Sequence, residues 1–258
     1  NIGSTLLSTG SGIETEARAW AAAGSDARMN GCEMPVVICS GSGNQGITAS
    51  VPVWRYGLFL GASEENILRA VALSDLITIH QKTGIGRLSA YCGAVSAGVG
   101  AGCGIAWLRG AGYDGISRTI CNAVAMISGC ICDGAKASCA SKIAMAVGTG
   151  ILGYNMYLGG NNFRPGDGIE GADVEETIRN VGILASKGMH ATWWAGAARG
   201  RSPGYCRCSR SPHRCPLGRR CPPERRYPPR SRCPRQPPSH PPPAAPGRGR
   251  SAVLKRWP

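Results

Sequence analysis

The stretch Cys130-Ile-Cys-Asp-Gly-Ala-Lys-Ala-Ser-Cys139 places three thiols within ten residues, around a charged, glycine-containing turn. Thiols in such a pattern serve as metal ligands, as a redox pair, or as small buried residues. The spacing is neither the CxxC pair of a zinc ribbon nor that of a thioredoxin-like site. Cys92 widens the set, since Cys132 lies 40 residues after it and Cys139 lies 7 further on. Three thiolates with one open position are what an iron–sulfur cluster needs if one iron is to bind a substrate. The competing reading is free buried cysteine. On an unbroken helix Cys132 and Cys139 would lie about 10 Å apart along the axis, so convergence requires a break at Asp133-Gly134. Cys32, Cys39, Cys103, Cys121 and Cys130 read as core cysteines.

Two further blocks carry polar chemistry, GSDARMNG at 24–31 and SGSGNQGITASVPV at 40–53. Asp26 and Arg28 offer an acid and a guanidinium within three positions. Gly41, Gly43 and Gly46, interleaved with Ser42, Asn44 and Gln45, make a loop whose backbone can approach a ligand closely. Its amides and the side-chain amides of Asn44 and Gln45 can donate to a carboxylate or phosphate. The plainer reading is a tight turn capped by Ser and Asn before the element at Ile47. No GK[ST] follows, and no dinucleotide fingerprint is present.

The elements that must hold these residues read as helices broken by glycine. Ser63 before Glu64 and Glu65 is an N-cap, followed by a run from Ile67 to Ile79 that is apolar nearly all round and so predicts a buried helix. Asp173 with Glu176 resembles a capping box, Val174, Ile178, Val181 and Leu184 or Ala185 recur at helical spacing, and Gly188 is a stop. Tyr113–Ser128 and Ser141–Met156 are further helices. Val36–Cys39 is the best short apolar run, as a strand or a buried helical turn. His80, on an apolar helix, reads as a hydrogen-bonded core histidine. The fold class expected is mainly α, a glycine-rich helical domain over residues 1–190. The 21 uncharged residues Leu88–Leu108 are long enough to span a bilayer. Five glycines and two serines dilute their hydrophobicity, so a tightly packed buried helix is expected and no membrane span.

Charge divides the chain. Residues 1–195 hold 13 Lys and Arg against 14 Asp and Glu, whereas 196–258 hold 16 basic residues against the single acid Glu224. Fifteen of the 18 prolines also lie beyond residue 195. A Pro/Arg-rich segment with so few large aliphatics cannot bury enough surface to offset its ordering entropy, which predicts a disordered basic tail over 196–258. Three explanations for it compete: an out-of-frame translation of a GC-rich gene, a basic arm that attracts nucleic acid, and a zinc site from Cys206, Cys208, Cys215, Cys221, Cys233 and His213. The zinc spacing matches no familiar finger. No charged n-region with an apolar h-region opens the sequence, and eight cysteines in the body argue for reduced or metal-bound thiols. A cytoplasmic setting is therefore expected.

SDARMNG, SGSGNQGITASVPV, IHQKTGIGRLSAYCGAVSAG, SGCICDGAKASCASK and GDGIEGADVEETIRNVG together resemble, in order, the C-terminal catalytic half of the serine dehydratase α-chain-like family, in the branch that includes L-cysteine desulfidases. The resemblance covers about residues 1–190. It implies a mainly helical fold and a 4Fe-4S cluster held by three cysteines, corresponding to Cys92, Cys132 and Cys139, with Cys130 a buried bystander. It also implies β-elimination from a small amino acid, serine or cysteine, with the glycine loop and Ser42, Asn44 and Gln45 clamping the substrate, Asp26 and Arg28 orienting it, and His80 and Lys82 as candidates for supporting roles. In that family an N-terminal half would precede residue 1 and carry a GCTEP-type segment whose cysteine is the expected base. No GCTEP occurs here, so the chain is expected to be a fragment, inactive alone. A homodimer is a further expectation. The alternative function is a non-catalytic helical domain with a nucleic-acid-binding arm.

Overall fold

A computed structural model describes residues 1–190 and 192. The expectations for 196–258, including the zinc residues, the basic arm and the disorder, lie outside the described residues. Among the described residues eight α-helices follow one another: α1 (Ile2–Thr9), α2 (Ile13–Met29), α3 (Gly43–Phe59), α4 (Glu64–Ile85), α5 (Gly93–Leu108), α6 (Tyr113–Ile127), α7 (Cys139–Leu158) and α8 (Val174–Ile183), the last continuing into a π-helical turn at Leu184–Gly188. No strand forms among the described residues, only isolated bridges at Cys39–Ser42 and Tyr91–Ile131. The mainly helical reading holds.

Helix α5 is the axis of the domain. Thirteen of its 16 residues are buried, Ala94 through Ala106. Its glycines set how close the neighbours come. A Cβ on Gly98 would lie 2.4 Å from the Ala146 carbonyl carbon, and one on Gly102 would lie 2.4 Å from the Gly150 oxygen, both on α7. On the side towards α4, a Cβ on Gly100 would lie 2.4 Å from Thr78 Oγ1 and one on Gly104 would lie 2.8 Å from the Ala70 oxygen. Gly98/Gly102 and Gly100/Gly104 are each spaced by four, so each pair forms a stripe on one side of the helix. The helix is thus a close-packed core element. No helix among the described residues is long and apolar enough to cross a membrane.

Local capping chemistry places the helix starts. Ser63 Oγ accepts the Asn66 amide at 3.3 Å, and Asp173 Oδ1 accepts the Glu176 amide at 2.7 Å. Glu176 Oε2 reaches back to the Ala172 amide at 2.7 Å, one residue before the cap. At the other end Met189 N bonds Leu184 O at 2.8 Å, which widens the last turn before the helix stops around Gly188.

The reading of α4 as apolar all round needs correction. Its buried stripe is Ile67, Ala70, Ser74, Thr78, Gln81, Lys82 and Ile85, whereas Leu68, Leu76 and Ile79 are exposed. Small and polar side chains line this stripe because only they fit so close an approach: towards α5, Gln81 Nε2 bonds Ser96 O at 3.3 Å and a Cβ on Gly100 would lie 2.5 Å from Ser74 O, while Ser74 Oγ bonds Ala49 O of α3 at 2.8 Å. His80 is therefore on the outer side, exposed, with Nε2 2.9 Å from Glu175 of α8. It is a surface tie between helices and not a core histidine. Val36–Cys39 is neither strand nor helical turn but irregular chain, with Val37 and Ile38 exposed.

Candidate thiol site

The site forms where the N-termini of α3, α5 and α7 are reached by the segment joining α6 to α7. Helix α3 starts at Ser42, whose backbone is extended and whose Oγ accepts the Gln45 amide at 3.2 Å. The chain turns into that start through Ser40 at φ 49° and Gly41 at φ 128°. A Cβ on Gly41 would lie 2.7 Å from the Arg87 oxygen, so glycine is required both by its φ and by the space. Arg28 Nη1 donates to Asn44 Oδ1 at 3.0 Å, which fixes the end of α2 against the first turn of α3. Asp26 does not join them. Its carboxylate takes the Ile2 amide at 2.8 Å, anchoring the start of α1. Residues two apart on a helix do not share a face, so closeness in sequence separated this acid from its guanidinium.

Gln45 carries the loop to the thiols. Its side chain is buried and lies against α5, where a Cβ on Gly93 would come within 2.4 Å of the Gln45 Cδ. Gln45 Oε1 is buried without a hydrogen-bond partner. The residue before Gly93 is Cys92, the N-cap of α5.

Around Cys92 the chain forms a two-stranded contact. Tyr91 bridges Ile131 in antiparallel register, with Cys92 N bonding Cys130 O at 3.0 Å and Cys132 N bonding Ala90 O at 2.7 Å. Side chains alternate along extended chain, so Cys130 and Cys132 share a face, and Cys92 stands opposite Cys130. The thiol of Cys92 lies within electrostatic reach of both. The Cys132 thiol is pushed up, chiefly by Cys92; Cys92 is pushed up to about 11, chiefly by Cys130; and Cys130 is brought down to about 7, chiefly by Cys92.

Two lysines frame the sulfurs. Lys82 is 4% exposed; burial lowers its pKa, and the thiols of Cys132 and Cys92 oppose that shift. Lys142 Nζ donates to Ile131 O at 2.9 Å and to Asp133 Oδ1 at 2.6 Å, tying α7 to the segment that bears the thiols. Cys139, the first residue of α7, has other partners: Sγ accepts the Lys136 amide at 3.4 Å and donates to Gly134 O at 3.6 Å. Between Cys132 and Cys139 the chain is not helical, and Gly134 turns at φ 98°, the expected break.

The structure thus gathers Cys92, Cys132, Gln45 and Lys82 as neighbours, ties Asn44 and Arg28 behind them, and adds Cys130. Among the described residues no group of three or more His, Cys, Asp and Glu stands in an arrangement that would hold a metal ion. Sequence reading set Cys130 aside, although the C-x-C spacing in an extended segment is itself a signal for two thiols on one side. It also missed Asp75, whose carboxyl is raised by burial and interacts with the buried thiol of Cys39, itself pushed up to about 12, chiefly by burial.

Residues 1–198 match the family described as serine dehydratase alpha chain. A Desulfitobacterium hafniense protein named UPF0597 protein DSY1109 is 58% identical over 193 residues, covering 74% of this chain and 45% of that one. A UPF0597 protein of Lachnoclostridium phytofermentans is 54% identical over 193 residues, 74% of this chain and 46% of its own. One of Treponema denticola is 48% identical over 180 residues, 70% of this chain and 42% of its own. The chain therefore spans under half the length of each of these relatives. No solved structure matches it. With the match running through every helix and both site loops, the chain belongs to the serine dehydratase alpha chain family.

Proposed function

We propose that the chain is the thiol-bearing part of an iron–sulfur lyase that removes the β-substituent of a small L-amino acid, the thiol of cysteine or the hydroxyl of serine. Membership of the family supports a serine dehydratase-like lyase. The observation that carries the finer reading is the meeting of Cys92 and Cys132 with Lys82 and Gln45 at the start of α5. Soft thiol donors beside a buried cation suit iron by their chemistry, and Gln45 Oε1 is a buried polar atom without a partner in the protein. By the family resemblance Cys92, Cys132 and Cys139 would hold the group, which requires Cys139 to leave its present partners, the Lys136 amide and the Gly134 oxygen. When bound, it supplies a Lewis-acidic iron for the leaving sulfur or oxygen.

The remaining work falls to the protein. The first turn of α3 presents main-chain amides where a helix terminus favours an anion, and the Gln45 amide lies beside it, so this end receives the substrate carboxylate. Arg28, bonded to Asn44, fixes that turn without touching the substrate. Lys82 offsets the negative charge of the thiolates, which a buried site would otherwise disfavour. Removal of the α-proton and loss of the β-substituent leave an enamine, which hydrolyses to pyruvate and ammonia, with sulfide released when cysteine is the substrate. By the family resemblance the base is a cysteine of a GCTEP-type segment, which this sequence does not contain.

Anaerobic reconstitution with iron and sulfide tests the assignment directly. Wild-type protein should take up iron and show broad visible absorption, and the triple variant C92S/C132S/C139S should take up little. Equal iron in both would remove the ligand assignment. With the longer polypeptide, pyruvate released from L-cysteine and from L-serine reports the substrate.

A further inference from the structure

We propose that Cys92 and Cys130 form a reversible dithiol–disulfide couple, a redox site separate from any role of Cys130 as a metal ligand. The inference goes beyond the lyase reading and does not require iron. Residues directly opposite one another at a hydrogen-bonded position of an antiparallel contact have Cα atoms about 5.5 Å apart, within the range a disulfide spans. Cys92 and Cys130 stand opposite in that way, flanking the Tyr91–Ile131 bridge, with the Cys92 amide on the Cys130 oxygen at 3.0 Å.

The same register disfavours the other two pairings. Cys132 stands opposite Ala90, since its amide bonds the Ala90 oxygen, which makes Cys92 and Cys132 diagonal neighbours about 7–8 Å apart, beyond easy bridging. Cys130 and Cys132 are two apart along extended chain, about 6.6 Å, at the outer limit. Accessibility sets the order of events. Cys130 is partly exposed and Cys92 is buried, so Cys130 meets the oxidant and Cys92 resolves.

With a low-molecular-weight disulfide as oxidant, the Cys130 sulfur attacks one of its sulfurs, forming a mixed disulfide and releasing one thiol. The Cys92 sulfur then attacks Cys130, forming the Cys92–Cys130 bond and releasing the second thiol. The protein loses two electrons and two protons, and the small disulfide gains both. Because Cys92 is then spent, oxidation and metal loading at this thiol exclude one another.

The test uses the full chain, freed of metal by chelation and exposed to oxidised glutathione, followed by thiol alkylation and non-reducing peptide mass spectrometry. A cross-linked pair of peptides bearing Cys92 and Cys130 is expected. C132S should retain the cross-link, and C130S should lower intramolecular cross-linking of Cys92 at least ~10-fold, with circular dichroism showing both variants folded. Survival of Cys92 cross-linking in C130S together with its loss in C132S would assign the couple to Cys132 and overturn the proposal. Absence of any Cys92–Cys130 cross-link in wild type does the same. Iron uptake is measured separately, so failure of the lyase reading leaves this result untouched.

Discussion

Glycine is used in opposite ways in α5 and in the segment between α6 and α7. In α5, Gly98, Gly100, Gly102 and Gly104 are there because a neighbour occupies the space a Cβ would need. In the thiol segment, Gly129 at φ 140° and Gly134 at φ 98° have open space around them, and the backbone turn is what requires them. The core is therefore specified by volume and the site by turns and a few hydrogen bonds. A core of this kind resists any added atom, while a segment of this kind tolerates side chains and depends on register.

Gly102→Ala and Gly134→Ala test that difference most strongly. A methyl on Gly102 meets only backbone of Gly150, at 2.4 to 2.6 Å, and backbone cannot swing aside. Urea unfolding of G102A should show a loss of about 3 kcal/mol. In G134A the methyl finds only Lys136 Cε, at 4.0 Å, and the cost is the left-handed backbone alone, about 1–2 kcal/mol. Equal losses would break the distinction.

The next effect falls on the boundary between the two regions. Gln45 is buried by the packing of α3 on α5, yet its Oε1 goes unpaired. An unsatisfied buried acceptor costs about 1–3 kcal/mol, so Gln45→Met, which keeps the length and loses the polar atoms, should raise stability by about 1 kcal/mol. If the carboxylate binds here, the same variant in the longer polypeptide should raise KM for the amino acid more than it lowers kcat. A stabilised variant with unchanged KM would leave Gln45 as a packing residue only.

Legibility in the sequence follows the same line between local and distant causes. The starts of α4 and α8 are readable at Ser63 and Asp173 because a cap and its amide lie three residues apart. The break at Asp133-Gly134 is readable for the same reason. The exposure of His80 is not, because which side of α4 is buried depends on α5, whose close approach selects Ser74, Thr78 and Gln81 over leucine. Cys130 reads as a bystander because the contact that gives it a role pairs residues 91 and 131, and nothing near Cys130 announces that partner. Adjacency puts Asp26 beside Arg28, but the helix turns them apart and the start of α1 claims the acid. Cys92 and Cys132 do come together, although only the family resemblance joins them in the sequence, and Cys139 has its own local partners.

The smallest effect is confined to a pH window and concerns a buried charge at the edge of the volume-limited core. Glu170 is 4% exposed, with Oε1 3.3 Å from Arg118 Nη1 and Oε2 buried without a partner. Burial raises its pKa above the ordinary carboxylate value, and the Arg118 guanidinium only partly opposes this. A group with a raised folded-state pKa holds its proton more tightly folded than unfolded. Its stabilising contribution is complete below the unfolded value and is lost as pH rises through the folded value. The Glu170→Gln side chain is neutral and of the same shape at every pH. The stability of E170Q relative to wild type should therefore increase from about pH 4 upward through the weakly acidic range and then level off. Thermal melts of both proteins across that range measure the difference. A gap that narrows with rising pH would show that the ion pair with Arg118 outweighs burial, and that charge can be accommodated at this edge of the core more readily than an added methyl group can be at Gly102.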